Sequence, residues 1–386
     1  MKKTLIALAA LGAMAGAAQA QSTVTLYGLL DADFGSFKTN VGVGSSVQSL
    51  KQVKIDGGGL NGNRWGLRVK EDIGGGMAVI GNIESGFDIS TGASSQGALF
   101  GRKAIVGLAG GFGTVTLGRN TSSYDDVAAD HAMMGATIFD PSNTNTNNGN
   151  STTTASAALL GLTVPSAAGA TALASFLGRN TTWIGYNSRF NNSVKYASPS
   201  FGGFSGGLMY GLGEDKTTTS SASKTVSANL KYANGPLLIS GGYQSEAVSR
   251  TATAKPALEN TLLNFAYNFG VAKVGLGFNR AKYKDVINPS TGTEIDPQKE
   301  VSLSVAVPLG ATTLSAGVAR SKGDDLGKST GFGVQALYSL SKRTTLYAGA
   351  LSTKAYSDLA DETKLVYPTS NIGRTTTYAA GIRHTF

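Results

Sequence analysis

The chain has 386 residues, of which 52 are glycine and only 9 proline; 15% are charged, and the formal charge is +9. Cysteine is absent, which excludes disulfides, thiolate metal sites and cysteine nucleophiles, and the two histidines, His131 and His384, are too few for most metal centres. The basic balance comes without lysine/arginine blocks or interleaved stacking aromatics, so nucleic acid is not an expected partner and no cofactor is implied.

Residues 1–20 read as a secretory signal. Lys2 and Lys3 are the charged start, Thr4 to Ala15 the apolar core, and Ala18-Gln19-Ala20 the small-residue cleavage site. The mature domain, 21–386, then begins at Gln21, and removing those two lysines lowers the charge from +9 to about +7. No stretch of it reaches the roughly 18 apolar residues of a spanning helix. Mean hydropathy near zero fits a soluble protein, but it fits a membrane barrel equally well, because outward apolar and inward polar residues cancel in the average.

Val24 to Phe34 alternates with period two: Val24, Leu26, Leu30 and Phe34 on one parity, Thr25, Tyr27, Asp31 and Asp33 on the other. A Gly/Ser-rich loop follows. Arg64 to Glu71 then places Trp65, Leu67 and Val69 opposite Arg64, Arg68 and Lys70, and a glycine turn leads to Met77 to Asp88. The same unit of strand, short turn and strand recurs at Arg102–Leu108 with Thr114–Arg119, Phe190–Tyr196 with Phe204–Leu212, and Val226–Tyr232 with Leu237–Gln244. It recurs again at Leu262–Phe269 with Ala272–Asn279, Val301–Val307 with Thr313–Ala319, and Phe332–Leu340 with Thr345–Thr353, before Thr376–Phe386 closes the chain. The spacing predicts an all-β transmembrane antiparallel barrel of sixteen strands, with seven short turns on one side and longer loops on the other.

Lys195, Lys231 and Lys273 fall on the polar parity, facing water. A cation turned to lipid at mid-bilayer costs about 2 to 4 kcal/mol, so this segregation is what a lipid-bathed barrel requires. Tyr232, Tyr267, Phe269, Tyr338 and Phe386 lie near turn ends on the apolar parity, as an interfacial girdle would. One stretch breaks the rhythm. From Arg119 to Arg189 there is no clear strand, and a loop of that length is expected to be functional. It carries Asp125, Asp126, Asp130 and Asp140, a neutral Asn/Thr/Ser run from Ser142 to Thr154, and an apolar part from Leu159 to Leu177. We expect it to fold back into the lumen, its aspartates beside inward arginines.

Three stretches carry a resemblance: Asn63-Arg64-Trp65-Gly66-Leu67-Arg68 with Glu71-Asp72-Ile73-Gly74-Gly75-Gly76, then Gly110 to Arg119, then Asn191 to Tyr196. With the Gly381-Ile382-Arg383-His384-Thr385-Phe386 ending, the chain resembles the general diffusion porins of the Gram-negative outer membrane, in their neisserial and β-proteobacterial branch. The resemblance implies a homotrimer of sixteen-stranded barrels, inserted by the barrel-assembly machinery among outer-membrane lipids and lipopolysaccharide. It implies passage of small hydrophilic solutes and inorganic ions, and a third external loop that constricts each pore. By position, the basic wall of the constriction falls on Arg64, Arg102 and Arg189, with Arg68 and Lys70 on the same parity as Arg64. The acids facing it fall on Asp125, Asp126 or Asp130, which the sequence does not tell apart. Arg119 resembles the arginine that receives the second loop of a neighbouring subunit, and Phe386 the assembly signal. The second loop, Ser90 to Phe100, lacks an acid to serve as that latch.

A passive channel with weak anion preference is therefore the expected function. An adhesin or structural barrel is the alternative, and it needs no constriction. A barrel hydrolase would need His131 or His384 in a Ser-His-carboxylate set. His131 reads as a solvated loop histidine, and His384 has lipid-facing parity, so no enzyme is expected.

Overall fold

A computed structural model describes residues 22–41, 48–142, 182–218, 221–247, 256–285, 292–354 and 372–386. Residues 1–20, expected to be a signal, most of the Ser142–Thr154 run and all of Leu159–Leu177 lie outside the described residues.

The strands are β1 (Thr23–Val41), β2 (Gln48–Gly57), β3 (Arg64–Gly74), β4 (Met77–Gly86), β5 (Lys103–Gly110) and β6 (Gly113–Thr121). After the long connection come β7 (Arg189–Ala197), β8 (Phe204–Leu212), β9 (Lys224–Asn234), β10 (Leu237–Ala247), β11 (Ala257–Asn268) and β12 (Lys273–Lys284). The last five are β13 (Gln298–Leu309), β14 (Thr312–Gly323), β15 (Gly327–Ser339), β16 (Thr344–Lys354) and β17 (Ile372–Thr385). All pair antiparallel with their neighbours, and β17 returns to β1, so the sheet closes without an edge.

These seventeen strands fill sixteen positions. β1 is long enough to pair with β2 along Ala32–Val41 and with β3 along Thr23–Leu29. β2 and β3 are thus two halves of one stave, split by residues 58–63. Six residues there stand opposite only Leu30 and Asp31, so the surplus chain leaves the sheet. This corrects the sequence reading, which ended the first strand near Phe34 and assigned everything up to Arg64 to a loop. β2 was hidden because Lys51, Lys54 and Asp56 interrupt its apolar content, although its outward residues Val53 and Ile55 do alternate and are exposed.

Orientation follows the parity. Leu230 and Leu263 are 60% and 55% exposed, whereas Ser227 and Asn264, on the opposite parity, are fully buried. An outer face of exposed leucine, valine and phenylalanine is stable only against lipid, and a closed ladder leaves no unpaired amide there. At the turn rim Phe204 packs on Tyr232 and Tyr267 on Phe269, each with centroids 4.6 Å apart. Phe269, Tyr338 and Phe386 are exposed there, completing an aromatic rim.

The seam between the first and last strands ends in a reciprocal pair of hydrogen bonds. Gly28 N donates to Phe386 O at 3.0 Å, and Phe386 N donates to Gly28 O at 3.1 Å. The Phe386 ring lies over Gly28 so closely that any Cβ at that position would collide with it. Deleting Phe386 is expected to impair assembly, and Gly28→Val to lower the temperature at which folded barrel converts to denatured monomer on gels. Normal amounts of heat-resistant protein from both variants would show that the seam tolerates losing this contact.

Candidate permeation site at the arginine wall

The space inside the barrel is lined by residues that the alternation turns inward, and the described parts of two connections enter it. The first is 58–63. Asp31, fully buried on β1, accepts hydrogen bonds from Leu60 N at 2.8 Å and Asn61 N at 2.7 Å, and Tyr347 OH also donates to it. Asn63 brackets the Asp31 backbone, accepting from its N–H at 2.6 Å and donating to its carbonyl at 3.0 Å. A carboxylate surrounded by fixed donors holds the surplus chain in one conformation.

The second is the connection between β6 and β7. Its base is closed by Ser122 N donating to Ser188 O at 2.9 Å. The outgoing limb, to residue 142, follows the inner wall: Tyr124 N donates to Ser227 Oγ at 2.7 Å, and Asn264 Nδ2 donates to Val127 O at 2.7 Å. Further along, Ser304 Oγ accepts from Met133 N and donates to His131 O, each at 2.9 Å. The wall has glycine where this limb presses hardest. A Cβ at Gly275 would collide with His131 O, and one at Gly333 with Phe139 O. The tip reaches the first segment, where Ile138 N donates to Gly59 O at 2.9 Å. Leu60, Met134, Phe139, Tyr347 and Ala379 form a buried apolar cluster at that junction. The returning limb, from 182, is held by two buried carboxylates. Glu300 accepts from Ile184 N at 2.6 Å, and Glu246 from Asn187 N at 3.1 Å.

On the wall not covered by this limb lie the arginines. Arg64 is within electrostatic range of Arg102, Glu84, Tyr27 and Arg383. Arg102 is buried, with Nε 2.8 Å from Glu84 Oε1, and Arg189 Nε donates to the Arg102 carbonyl at 3.0 Å. Tyr27 OH donates to Glu84 Oε2 at 2.8 Å, and the Arg68 guanidinium stacks 4.0 Å over the Tyr27 ring. Arg383 Nη1 donates to Asn61 Oδ1 at 2.8 Å, linking the first segment to the cluster. Among the described residues Glu84 pairs with Arg102, whereas Arg64, Arg189 and Arg383 make no carboxylate ion pair, although Asp125 lies within range of Arg189 and Asp31 of Arg383. The wall can attract an anion without tightly binding it.

A model of the Gram-negative porin family matches residues 7–356 of the sequence. The chain belongs to that family. It is 31% identical over 398 residues to outer membrane porin protein 32 of Delftia acidovorans, and 29% identical over 435 residues to an outer membrane porin protein of Bordetella pertussis. Both alignments span 100% of each chain. The barrel superposes on an anion-selective porin from Comamonas acidovorans with a TM-score of 0.70 at 24% identity, covering 95% of this chain and 100% of that one. The protein is an outer-membrane porin, a passive channel, and family and fold point to a channel rather than an enzyme.

Within this porin the structure brings Arg64, Arg102 and Arg189 together, with Arg68 at the cluster's edge. Lys70 does not join them. It lies six residues beyond Arg64, roughly 20 Å along an extended strand, and close to the turn. The loop acids also part from the expected pattern. Asp126 pairs with Lys195 at 2.6 Å and Asp130 with Lys231 at 2.9 Å, so lysines of β7 and β9 hold the limb, not the arginine wall. Those lysines do face inward as the parity required, but onto loop carboxylates rather than free water. Only Asp125 lies within range of Arg189, and it accepts from Tyr186 OH at 2.6 Å. Burial raises the Asp125 carboxyl above its ordinary range, against that hydrogen bond and the arginine charge.

Glu84, Lys103 and Arg383 were missed. Each carries the inward parity, Glu84 directly opposite Lys103 and Arg383 beside outward Ile382, so the alternation alone could have found them. Arg119 faces outward between β5 and β7, its guanidinium tied to Gly101 O at 2.7 Å and Asn191 Oδ1 at 2.6 Å.

His131 is not solvated, as the sequence suggested, but 1% exposed and stacked on Trp183 with centroids 5.0 Å apart. Ser142 and Asp140 adjoin it, yet Asp140 accepts from Ser142 Oγ at 2.8 Å and does not orient the imidazole. All three are buried, so this is not the arrangement of a hydrolytic triad. Burial lowers the His131 pKa from 6.5 to about 4, the Asn264 contact opposing weakly. Its contribution to stability is therefore present above pH 6.5 and lost as pH falls through about 4. Asp140, raised by burial to about 6, works the other way: its contribution is present below about 3.8 and lost as pH rises through 6.

In an NMR titration His131 should stay neutral down to about pH 4. A midpoint near 6.5 would place the limb away from the wall. Leu60→Ala removes a buried contact worth about 2 to 5 kcal/mol from the junction with the tip. Single-channel current should then become noisier while the barrel keeps its heat resistance; a trace like wild type would show that the tip does not lean on Leu60.

Proposed function

We propose that small hydrophilic solutes cross this channel between the arginine wall and the β6–β7 connection, and that the wall gives a weak preference for anions. The carrying observation is the set of four guanidiniums, Arg64, Arg102, Arg189 and Arg383, of which only Arg102 is ion-paired among the described residues. The three guanidiniums without an ion pair, each about 8 Å from an ion, contribute roughly 1.5 kcal/mol in water. About one Debye length of separation at physiological salt cuts this to about 0.5 kcal/mol, a two- to threefold bias. The anion selectivity of the Comamonas acidovorans structure supports the same direction. The lysine–aspartate pairs and the buried carboxylates act as fasteners of the loop and contribute little net charge to the path.

The channel works as a homotrimer, inserted by the barrel-assembly machinery among outer-membrane lipids and lipopolysaccharide, with Phe386 as its assembly signal. Arg119 supports a subunit interface at β5–β7. A guanidinium on an outward face costs about 2 to 4 kcal/mol against mid-bilayer lipid, a cost that a neighbouring subunit removes.

Replacing Arg64 and Arg189 together by glutamine should shift the reversal potential in a salt gradient toward cations, erasing most of the two- to threefold bias. An unchanged potential would take both residues out of the ion path.

A further inference from the structure

On the loop side of the arginine wall the structure holds a polar cavity of about 350 Å³. It is lined by Asp56 at the foot of β2, Gly62 in the 58–63 segment, Phe87, Asp88 and Gln96 in the connection from β4 to β5, and Arg102. Asp56 has the parity opposite to exposed Ile55, so it faces inward. The connection doubles back over its own barrel: Ser95 N donates to Gly86 O at 2.9 Å, Asp88 N to Ala93 O at 2.8 Å, and Phe87 N to Asn63 O at 3.3 Å. Glycine at position 86 makes this possible, since a Cβ there would collide with Ser95 Oγ and Gln96 Oε1. Gln96 itself is held at a φ of 63°, a conformation that few residues with a Cβ adopt. The connection thus forms a wall of the cavity.

The charges on this lining are already answered. Arg102 Nε lies 2.8 Å from Glu84, and Asp56 Oδ2 lies 2.5 Å from Lys54 Nζ. Asp88 Oδ1 accepts from Ser90 N at 2.8 Å and from Ser90 Oγ at 2.7 Å. An ionic solute would have to compete with one of these partners. Hydrogen-bonding capacity is left over. The Nη groups of Arg102 and the amide nitrogen of Gln96 have no acceptor among the described residues. A carboxylate has about four lone-pair sites, and Asp56 uses its own only on Gly57 N and Lys54. Fixed donors beside fixed acceptors are matched by hydroxyl groups, each of which donates and accepts. Phe87 adds an apolar patch. The volume is at the lower end of small-molecule sites, which run from roughly 300 to 1,000 Å³, and leaves room for one or two sugar rings. We infer that this cavity is a subsite for a neutral polyhydroxylated solute, a mono- or disaccharide, met on the loop side before the arginine wall. Arg102 belongs to both, so a sugar released from the cavity is already at the constriction. Binding there is weak, because conduction needs a solute that leaves as readily as it enters. The subsite rests on the channel reading and narrows its solute class.

The test titrates maltose onto the full-length folded porin in planar bilayers. Ion current through the wild type should fall saturably, with added noise from individual blocking events. Gln96→Ala removes an amide donor and should weaken maltose binding roughly three- to tenfold. Gly62→Val puts carbon 3.2 Å from Arg102 Nη1 and fills part of the cavity, so saturation should disappear. Lys342→Gln, in the turn between β15 and β16 at the opposite rim, should bind maltose like wild type. Alanine, a zwitterion, should give no saturation at the same concentrations. A current that falls only linearly with maltose in the wild type, as bulk viscosity produces, would overturn the assignment. So would equal saturation in the wild type and both cavity variants. Saturation by alanine and not by maltose would assign the cavity to zwitterions and overturn the sugar class. Failure of the channel reading has a different signature, the absence of ion current before any sugar is added, and would overturn both.

Discussion

Every backbone amide in the lipid-facing band must find its partner within the protein, and most of the architecture follows from that. A helix satisfies the requirement locally. A strand cannot, so the strands must form a ring, and β17 must meet β1. Once the ring exists, side chains have two environments, oil outside and a polar interior, and their alternation is forced. The same alternation that keeps Leu230 and Leu263 outward places Lys231 and Asn264 inward, where they bond the connection between β6 and β7.

The lumen holds a small fold of its own. Its ties are chemically varied: lysine–carboxylate pairs on the outgoing limb, backbone N–H groups on buried Glu300 and Glu246 for the returning one, and an apolar knot around Leu60 at the tip. The varied ties have separate vulnerabilities. Salt screens the exposed end of the Lys195–Asp126 pair more than the buried carboxylate bonds, and neither governs the apolar knot. The limb is therefore not released by any one change of conditions, which suits a channel that must keep a constant bore.

Strand existence and parity were legible in the sequence because they depend on period-two alternation, a strictly local signal. β2 was not, because its charges obscure that signal and its partner, β1, reads as a complete strand without it. Parity turned Arg64 and Arg189 inward, while Arg102 came from the resemblance alone. The partners of the loop aspartates could not be placed, since pairing Asp126 with Lys195 and Asp130 with Lys231 depends on the path of an irregular segment. His131 illustrates the same limit. A histidine in a polar stretch looks solvated, and it is the wall at Gly277 and the return of Trp183 from fifty-two residues further along that enclose it.

The seam between β1 and β17 also sets an order of events. Its partners come from the first and last of the described strands, Leu29 with Thr385 and Phe37 with Thr377, whereas every other neighbour pair on the ring except those flanking the long connections is local. Contacts of such sequence separation form late, after hairpins that need only a short turn. Until then the growing sheet has two open edges, the arrangement that recruits stray strands from other chains. Closure is thus the committing step of biogenesis, and the meeting of β17 with β1 ends the period in which the barrel can misassociate.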